Sequence, residues 1–326
     1  MMIKSQAPIS VVVIGINTAE TIGACLQSIQ ESDYPEELLE VIYVDGGSAD
    51  ESVEIAQKFP DVKIVELVQE IPTPGRGRNA GWKIAKHSLI QFVDGDSTLD
   101  KDWFSRSQEY LKEDVVAVVG EHKELHPRKN WYHLITDIEW RVPPGECIAF
   151  GGNVLIRKEV LEQTGGFDEA LTAGEDPDLS YRVRKAGWKI MSLSIPMCLH
   201  DIRTDSFFTY LKRSARTGWA YAVLAWRYRR EKNKFRMKEC VRVILSVIIP
   251  WGIFKGGMLL GYPIAGAVIG LALALRSFRK IFYFQKKFDL SLTEAAKYAL
   301  HLSVVVYPQF VGVLKFIFQK VWKNAA

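Results

Sequence analysis

Short apolar segments rich in β-branched residues alternate with helical patterns through the first hundred residues of this chain. In order, these segments and patterns cover residues 9–16, 19–31, 39–44, 51–58, 62–67, 78–87 and 89–93. Strands that alternate with helices form parallel sheets, so we expect an α/β fold with a mostly parallel, Rossmann-like central sheet flanked by helices. Ligands of such sheets bind beyond the carboxyl ends of the strands. The residues that follow each apolar segment are therefore the first candidates for a site.

Acidic residues follow two of these apolar segments. Asp45 stands before a Gly-Gly-Ser turn, and the fourth segment ends in Asp94, a glycine and Asp96. Hard divalent cations prefer oxygen ligands, and Mg²⁺ takes only one or two protein carboxylates when phosphates complete its shell. The intervening glycine lets a substrate approach the backbone. This spacing at a strand end predicts a divalent-cation site beside a phosphate-bearing ligand.

The residues from Asp176 to Gly187 carry the signals of a helix. Pro177 follows Asp176, apolar residues recur at Leu179 and Val183, and Gly187 lies beyond them. Aspartate at the N-cap, proline at the first helical position and glycine past the end form a preferred arrangement. We therefore expect Asp176 to be the N-cap, with its carboxylate kept ionised by the helix dipole and nearby N–H groups.

Residues 121–147 break the regular pattern, with Trp131, Trp140 and two adjacent prolines, before regularity resumes at residues 151–157. A long insertion beside an active site suits an acceptor-binding lid or platform. A surface excursion that only packs against the fold is the alternative, and the sequence leaves both open.

Charge is distributed unevenly along the chain. Residues 1–200 contain 20 Lys and Arg against 32 Asp and Glu, whereas residues 201–326 contain 22 against 6. Such asymmetry indicates that the basic part meets an anionic partner, either nucleic acid or phospholipid headgroups. Residues 201–240 interleave basic and aromatic side chains, as amphipathic segments at a membrane interface do. Because apolar runs follow directly, we expect membrane phospholipid and no nucleic acid.

Residues 241–275 are almost entirely apolar, with Arg242 and Lys255 as their charges before a basic cluster begins. Pro250 and Gly261 predict a bent hairpin of two helices of about 17 residues, each about 26 Å long against a hydrocarbon core of about 30 Å. Crossing and re-entrant hairpins both fit this length. Basic clusters on both sides place its flanks in the cytoplasm. A third apolar stretch, residues 298–318, either spans the membrane or lies along it.

Cysteine usage is consistent with a cytosolic catalytic part. The four cysteines lie far apart, form no CxxC pair, and the first residues lack the pattern of a secretory signal. We expect no disulfides and a position on the cytoplasmic side of the inner membrane.

Several short motifs follow one another between residues 9 and 219. In order they are Asn17 with Glu20, Asp45-Gly46-Gly47-Ser48 with Asp50, Gly77-Arg78-Asn79-Ala80-Gly81, Asp94-Gly95-Asp96, Gly151-Gly152-Asn153 with Ile156-Arg157, Gly165-Gly166-Phe167-Asp168, and Glu175-Asp176 with Leu179 and Arg182. This order resembles that of the family 2 glycosyltransferases, which have the nucleotide-diphospho-sugar transferase (GT-A-like) fold. The resemblance implies a hexosyltransferase-type enzyme.

At 326 residues the chain exceeds the size at which single cores stop growing, about 250–300 residues, so we expect one globular domain plus an appendage. Residues 1–200 would be the nucleotide-sugar-binding catalytic domain, with residues 121–147 as its acceptor-side insertion. Residues 201–240 would be the interface region, and residues 241–326 a helical membrane region.

Nucleotide-binding roles come from the same resemblance. The residues concerned are Asn17, Glu20, Asp45, Gly47, Arg78 and Asp94. Asp45 is similar to a carboxylate that reads a uracil-type base, which implies a UDP-sugar donor, although an aspartate beside two glycines also forms turns. Arg78 is similar to a residue that steadies the pyrophosphate, with a solvated charge at a helix start as the alternative. The acidic residue that usually follows the first asparagine is replaced by Thr18, and Glu20 is the candidate to substitute for it.

A metal site is implied at Asp96 and His200, with Asp94 facing the ribose or assisting. The ion would be Mn²⁺ or Mg²⁺, bridging diphosphate oxygens and neutralising charge on the leaving nucleotide. A lone histidine near a strand end is often structural, so both interpretations of His200 stay open.

Asp176 resembles the catalytic base of the family, and Glu175 a residue that orients the acceptor or the base. The alternative for Asp176 is a cap alone. In-line attack by an acceptor hydroxyl would invert the anomeric configuration. Predicted acceptor or phosphate contacts are Gly152, Asn153, Arg203, Arg216 and Trp219. The chain lacks the Gln-x-x-Arg-Trp motif of processive synthases, so we expect one sugar per encounter.

We therefore predict a metal-dependent inverting glycosyltransferase that acts on a lipid-linked or cell-surface glycan at the cytoplasmic membrane face. A polyprenyl-phosphate glycosyltransferase is an alternative with the same donor chemistry. A catalytically inactive, membrane-bound nucleotide-sugar sensor or scaffold is an alternative of another class.

Overall fold

The computed structural model of the protein describes residues 6–68, 71–262 and 264–323. The chain divides into two compact units. The first, which we call the sheet unit, holds the chain up to His126 together with Trp140–Ile202. The second, the helical unit, holds Pro127–Glu139 and the chain from Arg203 onward. Residues 127–139, expected within an insertion of the catalytic domain, thus belong to the helical unit.

One sheet forms the centre of the sheet unit. Its strands among the described residues are β1 (Ile9–Gly15), β2 (Leu39–Asp45), β3 (Val62–Glu66), β4 (Leu89–Asp94), β5 (Ser97–Leu99), β6 (Val115–Glu124), β7 (Gly145–Glu146), β8 (Val154–Arg157) and β9 (Lys189–His200). Their order is β3-β2-β1-β4-β8-β6-β9-β5, with β7 paired to β9. The first four strands in this order are mutually parallel, as are β6 and β9. The predicted mostly parallel sheet is confirmed.

Helices cover both faces of this sheet. They are α1 (Ile22–Gln30), α2 (Ser52–Ala56), α3 (Pro74–Ile84), α4 (Trp103–Ser107), α6 (Lys158–Thr164) and α7 (Glu175–Lys185), with α5 (Trp131–Glu139) in the helical unit. Side chains of β1 alternate between two buried apolar layers: Val11 and Val13 face one, and Val12 faces the other. Each such side chain contributes roughly 1.5–3 kcal/mol when fully buried. Burial on both faces explains why these strands have continuous apolar sequences.

Helices α3 and α5 differ from the sequence prediction. Helix α3 begins at Pro74 rather than at residue 78, because Thr73 caps it by accepting the N–H of Arg76. Helix α5 (Trp131–Glu139) lies in the stretch predicted to be irregular. The signal for α5 is Asn130, whose Oδ1 accepts the N–H groups of Tyr132 and His133.

The helical unit contains α5 and, after it, α8 (Phe207–Arg227), α9 (Met237–Leu259), α10 (Ile264–Phe288), α11 (Leu292–Val304) and α12 (Val306–Lys323). Helices α8 and α12 approach with backbone nearly against backbone. A Cβ added at Gly218 would lie 1.9 Å from the carbonyl oxygen of Gln309, and one at Gly312 would lie 1.9 Å from that of Ala215. Small residues permit such close helix packing in membranes.

The predicted hairpin is present, but its arms are longer than expected. Helix α9 has 23 residues and α10 has 25, because both continue into the flanking basic segments, and Pro250 lies inside α9 without ending it. Met237–Leu259 and Leu292–Val321 each have the length and composition of a membrane span, with a mean hydropathy of 1.5. The helical unit is therefore apolar enough to be membrane-associated.

Candidate active site

The carboxyl ends of the parallel strands form one rim of the sheet unit. In the register of the sheet, Gly15 at the end of β1 pairs with Asp45 of β2, and Ile14 pairs with Asp94 of β4. Asp45 and Asp94 thus stand on either side of β1, two strand spacings or about 10 Å apart. A nucleotide lying across the end of β1 would meet both loops.

The loop after β2 is organised by Asp45, which is 1% exposed. Its carboxylate accepts the N–H groups of Gly47 and Ser48 at 2.8 and 2.7 Å and the hydroxyl of Tyr43 at 3.0 Å. Gly47 adopts a φ of +93°, which favours glycine. These contacts give Asp45 a turn-forming role. Its reading of a nucleotide base stays a prediction.

Asn17 ties the end of β1 to the same loop. Its N–H donates to the Ser48 hydroxyl at 2.8 Å, and its Oδ1 accepts the Ala49 N–H at 2.9 Å, while its own φ is +53°. Glu20 lies exposed a few residues further on. The nucleotide contacts of Asn17, Glu20 and Gly47 stay predictions, on a rim that these hydrogen bonds hold in shape.

The loop after β4 brings three candidate metal ligands together. Asp96 Oδ1 lies 3.0 Å from His200 Nε2, and ligand atoms of Asp94, Asp96 and His200 all lie within 4.8 Å of one another. Two carboxylates and one imidazole suit Mn²⁺, and carboxylates with phosphate oxygens suit Mg²⁺. The donor set therefore fits the divalent cation that the sequence predicted.

Asn153, the residue before β8, fixes the backbone at the end of β4. Its Oδ1 accepts the N–H of Asp94 at 2.9 Å, and its amide nitrogen donates to the Ser97 hydroxyl at 3.1 Å. The side chain is 1% exposed. Asn153 therefore orients the chain from Asp94 to Ser97, which contains the candidate metal ligands Asp94 and Asp96. Its predicted acceptor contact stays a prediction.

Arg78 joins Asp94, at the end of β4, to the start of α7. Its guanidinium, 2% exposed, donates to Asp94 at 2.8 Å and Glu175 at 3.1 Å and lies 3.2 Å from Asp176, with its charge over the ring of Phe167. Burial opposes its charge, but these three carboxylates raise the pKa of Arg78 above its ordinary value, so it stays a cation. The alternative of a solvated charge at a helix start is wrong, because α3 begins earlier and buries this position.

Gly152 packs against this ion network. A Cβ at that position would lie 2.1 Å from Asp94 Oδ2 and 2.7 Å from Arg78 Nη2. Any side chain here would push the carboxylate and the guanidinium apart. Gly152 thus makes room for the network, and its predicted phosphate contact stays a prediction.

Asp176 is not the N-cap of α7, contrary to the sequence prediction. The cap is Gly174, whose φ of +87° only glycine adopts without strain, and the helix begins at Glu175. Pro177 is accommodated because N–H groups of a first helical turn have no partner within the helix. Asp176 therefore lies in the first turn, one residue inside the helix.

The protonation of Asp176 also differs from expectation. Burial raises the pKa of Asp176 well above its ordinary value, Arg78 opposes this shift, and the charges of Glu175 and Asp94 add to it. Desolvation is the largest of these influences, and the repulsion from the two neighbouring carboxylates acts in the same direction. The result is a carboxylate that binds a proton more readily than a free aspartate does.

Three predicted contact residues lie in the helical unit instead. Trp219 donates its Nε1–H to Gln319 at 2.9 Å, Arg203 has a φ of +50°, and Arg216 is exposed on α8. Their predicted roles toward an acceptor or a phosphate stay predictions.

Sequence reasoning missed two residues beside His200. His122, on β6, and Trp140 both contact its ring. The sequence signal for His122 is a polar residue near the end of an apolar strand. The prediction of an irregular segment over residues 121–147 ended that strand too early to include it.

Comparisons with known proteins agree with this geometry. A family model described as glycosyltransferase like family 2 matches residues 7–245. Glycosyltransferase AglE of Haloferax volcanii is 27% identical over 219 residues, covering 64% of this chain and 71% of AglE. The pre-mycofactocin glycosyltransferase of Mycobacterium tuberculosis is 28% identical over 204 residues, covering 58% of this chain and 43% of that protein. The chain thus spans less than half of the mycobacterial relative.

Solved structures show the same fold. Mannosyltransferase PcManGT from Pyrobaculum calidifontis, in complex with GDP-Man and Mn²⁺, has a TM-score of 0.64 and 20% identity, covering 97% of this chain and 89% of that chain. S. aureus TarS in complex with UDP-GlcNAc has a TM-score of 0.54 and 17% identity, covering 92% and 90%. The fold is GT-A-like.

Proposed function

Because the chain belongs to glycosyltransferase family 2, we propose that it moves one sugar per encounter from a nucleoside-diphosphate sugar to a hydroxyl of a lipid-linked or cell-surface glycan, inverting the anomeric carbon. The observation that carries this proposal is the meeting of Asp94, Glu175 and Asp176 around one buried cation, Arg78, while Asp94 also lies within reach of the candidate metal ligands Asp96 and His200. Asp94 ends β4, and Glu175 and Asp176 lie in the first turn of α7, so residues distant in sequence supply these carboxylates. Such convergence suits a reaction that handles a diphosphate and a proton together.

The donor side would be formed by the loops after β2 and β4. Asp94, Asp96 and His200 would hold a divalent cation, which as a Lewis acid would neutralise charge on the leaving diphosphate. The mannosyltransferase neighbour, whose structure contains GDP-Man and Mn²⁺, supports both the donor class and the cofactor. A UDP-sugar is the donor that we propose from the resemblance of Asp45.

The acceptor side would use Asp176 as general base. The acceptor oxygen forms a bond to the anomeric carbon as the bond from that carbon to the leaving phosphate oxygen breaks, and the hydroxyl proton passes to Asp176. A base with a pKa shifted toward neutrality accepts that proton more strongly than an ordinary aspartate. Arg78 favours the carboxylate form against burial, which keeps the base available.

Glu175 would act through Arg78. It is 7% exposed and accepts a hydrogen bond from the Arg78 guanidinium at 3.1 Å. This contact orients the cation that faces the base. We propose that Glu175 positions the base and does not itself touch the acceptor.

The helical unit would attach the enzyme to the cytoplasmic face of the membrane. Phe207 and Phe208, at the start of α8, are 58% and 64% exposed, and Lys212 Nζ lies 4.5 Å from the Phe208 ring centre. Exposed aromatic rings beside lysine suit the headgroup region, where the ring meets the apolar boundary and the charge meets phosphates. The two span-like helices support the same proposal.

The test uses membranes that contain the protein, a panel of nucleotide sugars and Mn²⁺ or Mg²⁺, with release of nucleoside diphosphate followed. Asp96→Ala should lose donor binding and turnover. Asp176→Asn should bind the donor but turn over about 10²- to 10⁴-fold more slowly, the usual contribution of a general base. Asp114→Asn, on an exposed aspartate paired with Lys189, is the matched control and should keep the normal rate.

Each alternative gives a distinct result. A polyprenyl-phosphate acceptor is already an anion, so Asp176→Asn would then keep a near-normal rate. A sensor or scaffold would show neither transfer nor donor hydrolysis with any nucleotide sugar of the panel.

A further inference from the structure

Two aromatic side chains hold the ring of His200. Its Nδ1 lies 3.0 Å from Nε2 of His122, on the side of the ring opposite to the nitrogen that faces Asp96. The two imidazole planes lie within 19° of each other with centroids 5.1 Å apart, so the rings lie side by side along the hydrogen bond. The indole of Trp140 stacks on His122 at 4.1 Å, and its centroid lies 5.0 Å from that of His200. Each ring nitrogen of His200 thus faces a polar side chain: Nε2 faces Asp96 and Nδ1 faces His122.

We propose that His122 is a positioning residue for the metal site: it selects the tautomer and the ring plane of His200 that present Nε2 to a divalent cation, and Trp140 clamps the pair. This inference rests on the proposed metal site at Asp94, Asp96 and His200, and it assigns residues outside that ligand set.

The hydrogen count of the two rings carries the argument. A ring nitrogen binds a metal only through a lone pair, so a cation on Nε2 of neutral His200 leaves its hydrogen on Nδ1. That N–H then donates to Nε2 of His122, which must carry its own hydrogen on Nδ1. When Nε2 of His200 instead donates to Asp96, its Nδ1 accepts a hydrogen from Nε2 of His122. One geometry serves both arrangements because imidazole exchanges donor and acceptor between its nitrogens.

Trp140 restrains the orientation of the two imidazole planes. The indole lies within 25° of the His122 plane and 33° of the His200 plane, so both imidazoles stay nearly coplanar with the line of hydrogen bonds. The His200 side chain is 12% exposed, which makes a lost partner on Nδ1 costly. Partners of this kind commonly change metal affinity about 10- to 100-fold when replaced.

The first measurement is the affinity of the full-length protein for Mn²⁺ alone, from the electron paramagnetic resonance signal of free Mn²⁺. His122→Phe keeps an aromatic ring against Trp140 but removes the hydrogen bond, and it should bind Mn²⁺ about 10- to 100-fold more weakly. His122→Gln offers an amide oxygen to Nδ1 and should recover most of the affinity. His126→Phe, on an exposed histidine at the end of the same segment, is the matched control and should bind Mn²⁺ as the native protein does.

The second measurement needs no variant that must fold. In native protein labelled with ¹⁵N-histidine, added Mg²⁺ should leave the hydrogen on Nδ1 in both His122 and His200. A hydrogen that stays on Nε2 of His122 with Mg²⁺ bound overturns the proposal.

Asp96→Ala separates this inference from the proposed metal site. If Asp96→Ala loses Mn²⁺ binding while His122→Phe binds normally, the positioning role is wrong and the metal site stands. If Asp96→Ala binds Mn²⁺ as well as the native protein, the metal site itself is misplaced and both proposals fail.

Discussion

The sheet unit and the helical unit treat charge and apolar surface in opposite ways. In the sheet unit the Arg78 guanidinium is 2% exposed among carboxylates. In the helical unit it is the large apolar side chains of α9 that are exposed, with Ile248 at 52% and Trp251 at 63%. Two parts of one chain therefore follow opposite rules of burial.

The difference is what the proposed membrane attachment of the helical unit would require. A buried charge is tolerated only where opposite charges and hydrogen bonds offset its desolvation, which is useful where a reaction needs a strong local field. Exposed apolar helices with basic neighbours are stable where lipid replaces water. An exposed apolar side chain or a buried charge therefore has to be judged against the medium that surrounds its unit. Substitutions in the sheet unit and in the helical unit test this interpretation.

The largest effect on folding should come from Arg78→Met. Removing this buried cation leaves Glu175, which is buried, and Asp94 and Asp176, which are partly buried, close together without an opposite charge. Breaking a buried charge network typically costs about 3–5 kcal/mol. Thermal or denaturant unfolding of the purified protein measures the loss. Arg76→Met, in the same helix but 38% exposed and 3.9 Å from Glu169, is the control and should cost less than about 1 kcal/mol. Equal losses for the two variants would show that the network is not the stabilising feature of α3.

A smaller effect, on membrane integration, should follow from Ile248→Lys in the middle of α9. If lipid surrounds this face, a lysine there costs about 2.5–3.5 kcal/mol and reduces membrane integration. Val142→Lys, at a side chain equally exposed in the sheet unit, should change stability by less than about 0.5 kcal/mol. Extraction of membranes at alkaline pH compares the two variants. Full integration of the Ile248→Lys protein would argue for water around α9.

The smallest effect concerns the pH dependence of transfer to a hydroxyl acceptor. Asp176 acts as base only when ionised, and burial raises its pKa, so kcat/KM should rise with pH and its acid limb should lie well above the pKa of about 4 of a free aspartate. The residual rate of Asp176→Asn should lack this limb. A native rate that is constant from about pH 5 to pH 8 would contradict the assignment.

Much of the site could be read from the sequence because parallel strands end at one edge. Asp45 and Asp94 were expected on the same rim because each ends a strand of a parallel sheet, and the structure places them on either side of β1. Candidate metal ligands Asp96 and His200 lie together as predicted. The N-cap of α7 was misplaced because Asp-Pro and Gly174 both signal a helix start, and only the backbone shows that Gly174 takes the left-handed conformation.

The sequence by itself determined the class of fold, the acidic rim and the division between an acidic α/β part and a basic apolar part, because periodicity and charge are local properties of a chain. Only the tertiary structure decided that Arg78 is the buried centre of three carboxylates, that Asp176 is shifted toward protonation, and that His122 and Trp140 hold His200. These features depend on contacts between residues up to 98 positions apart, from Arg78 to Asp176, and on the water that those contacts exclude. The spacing of residues along a chain predicts neither their distance in space nor their desolvation.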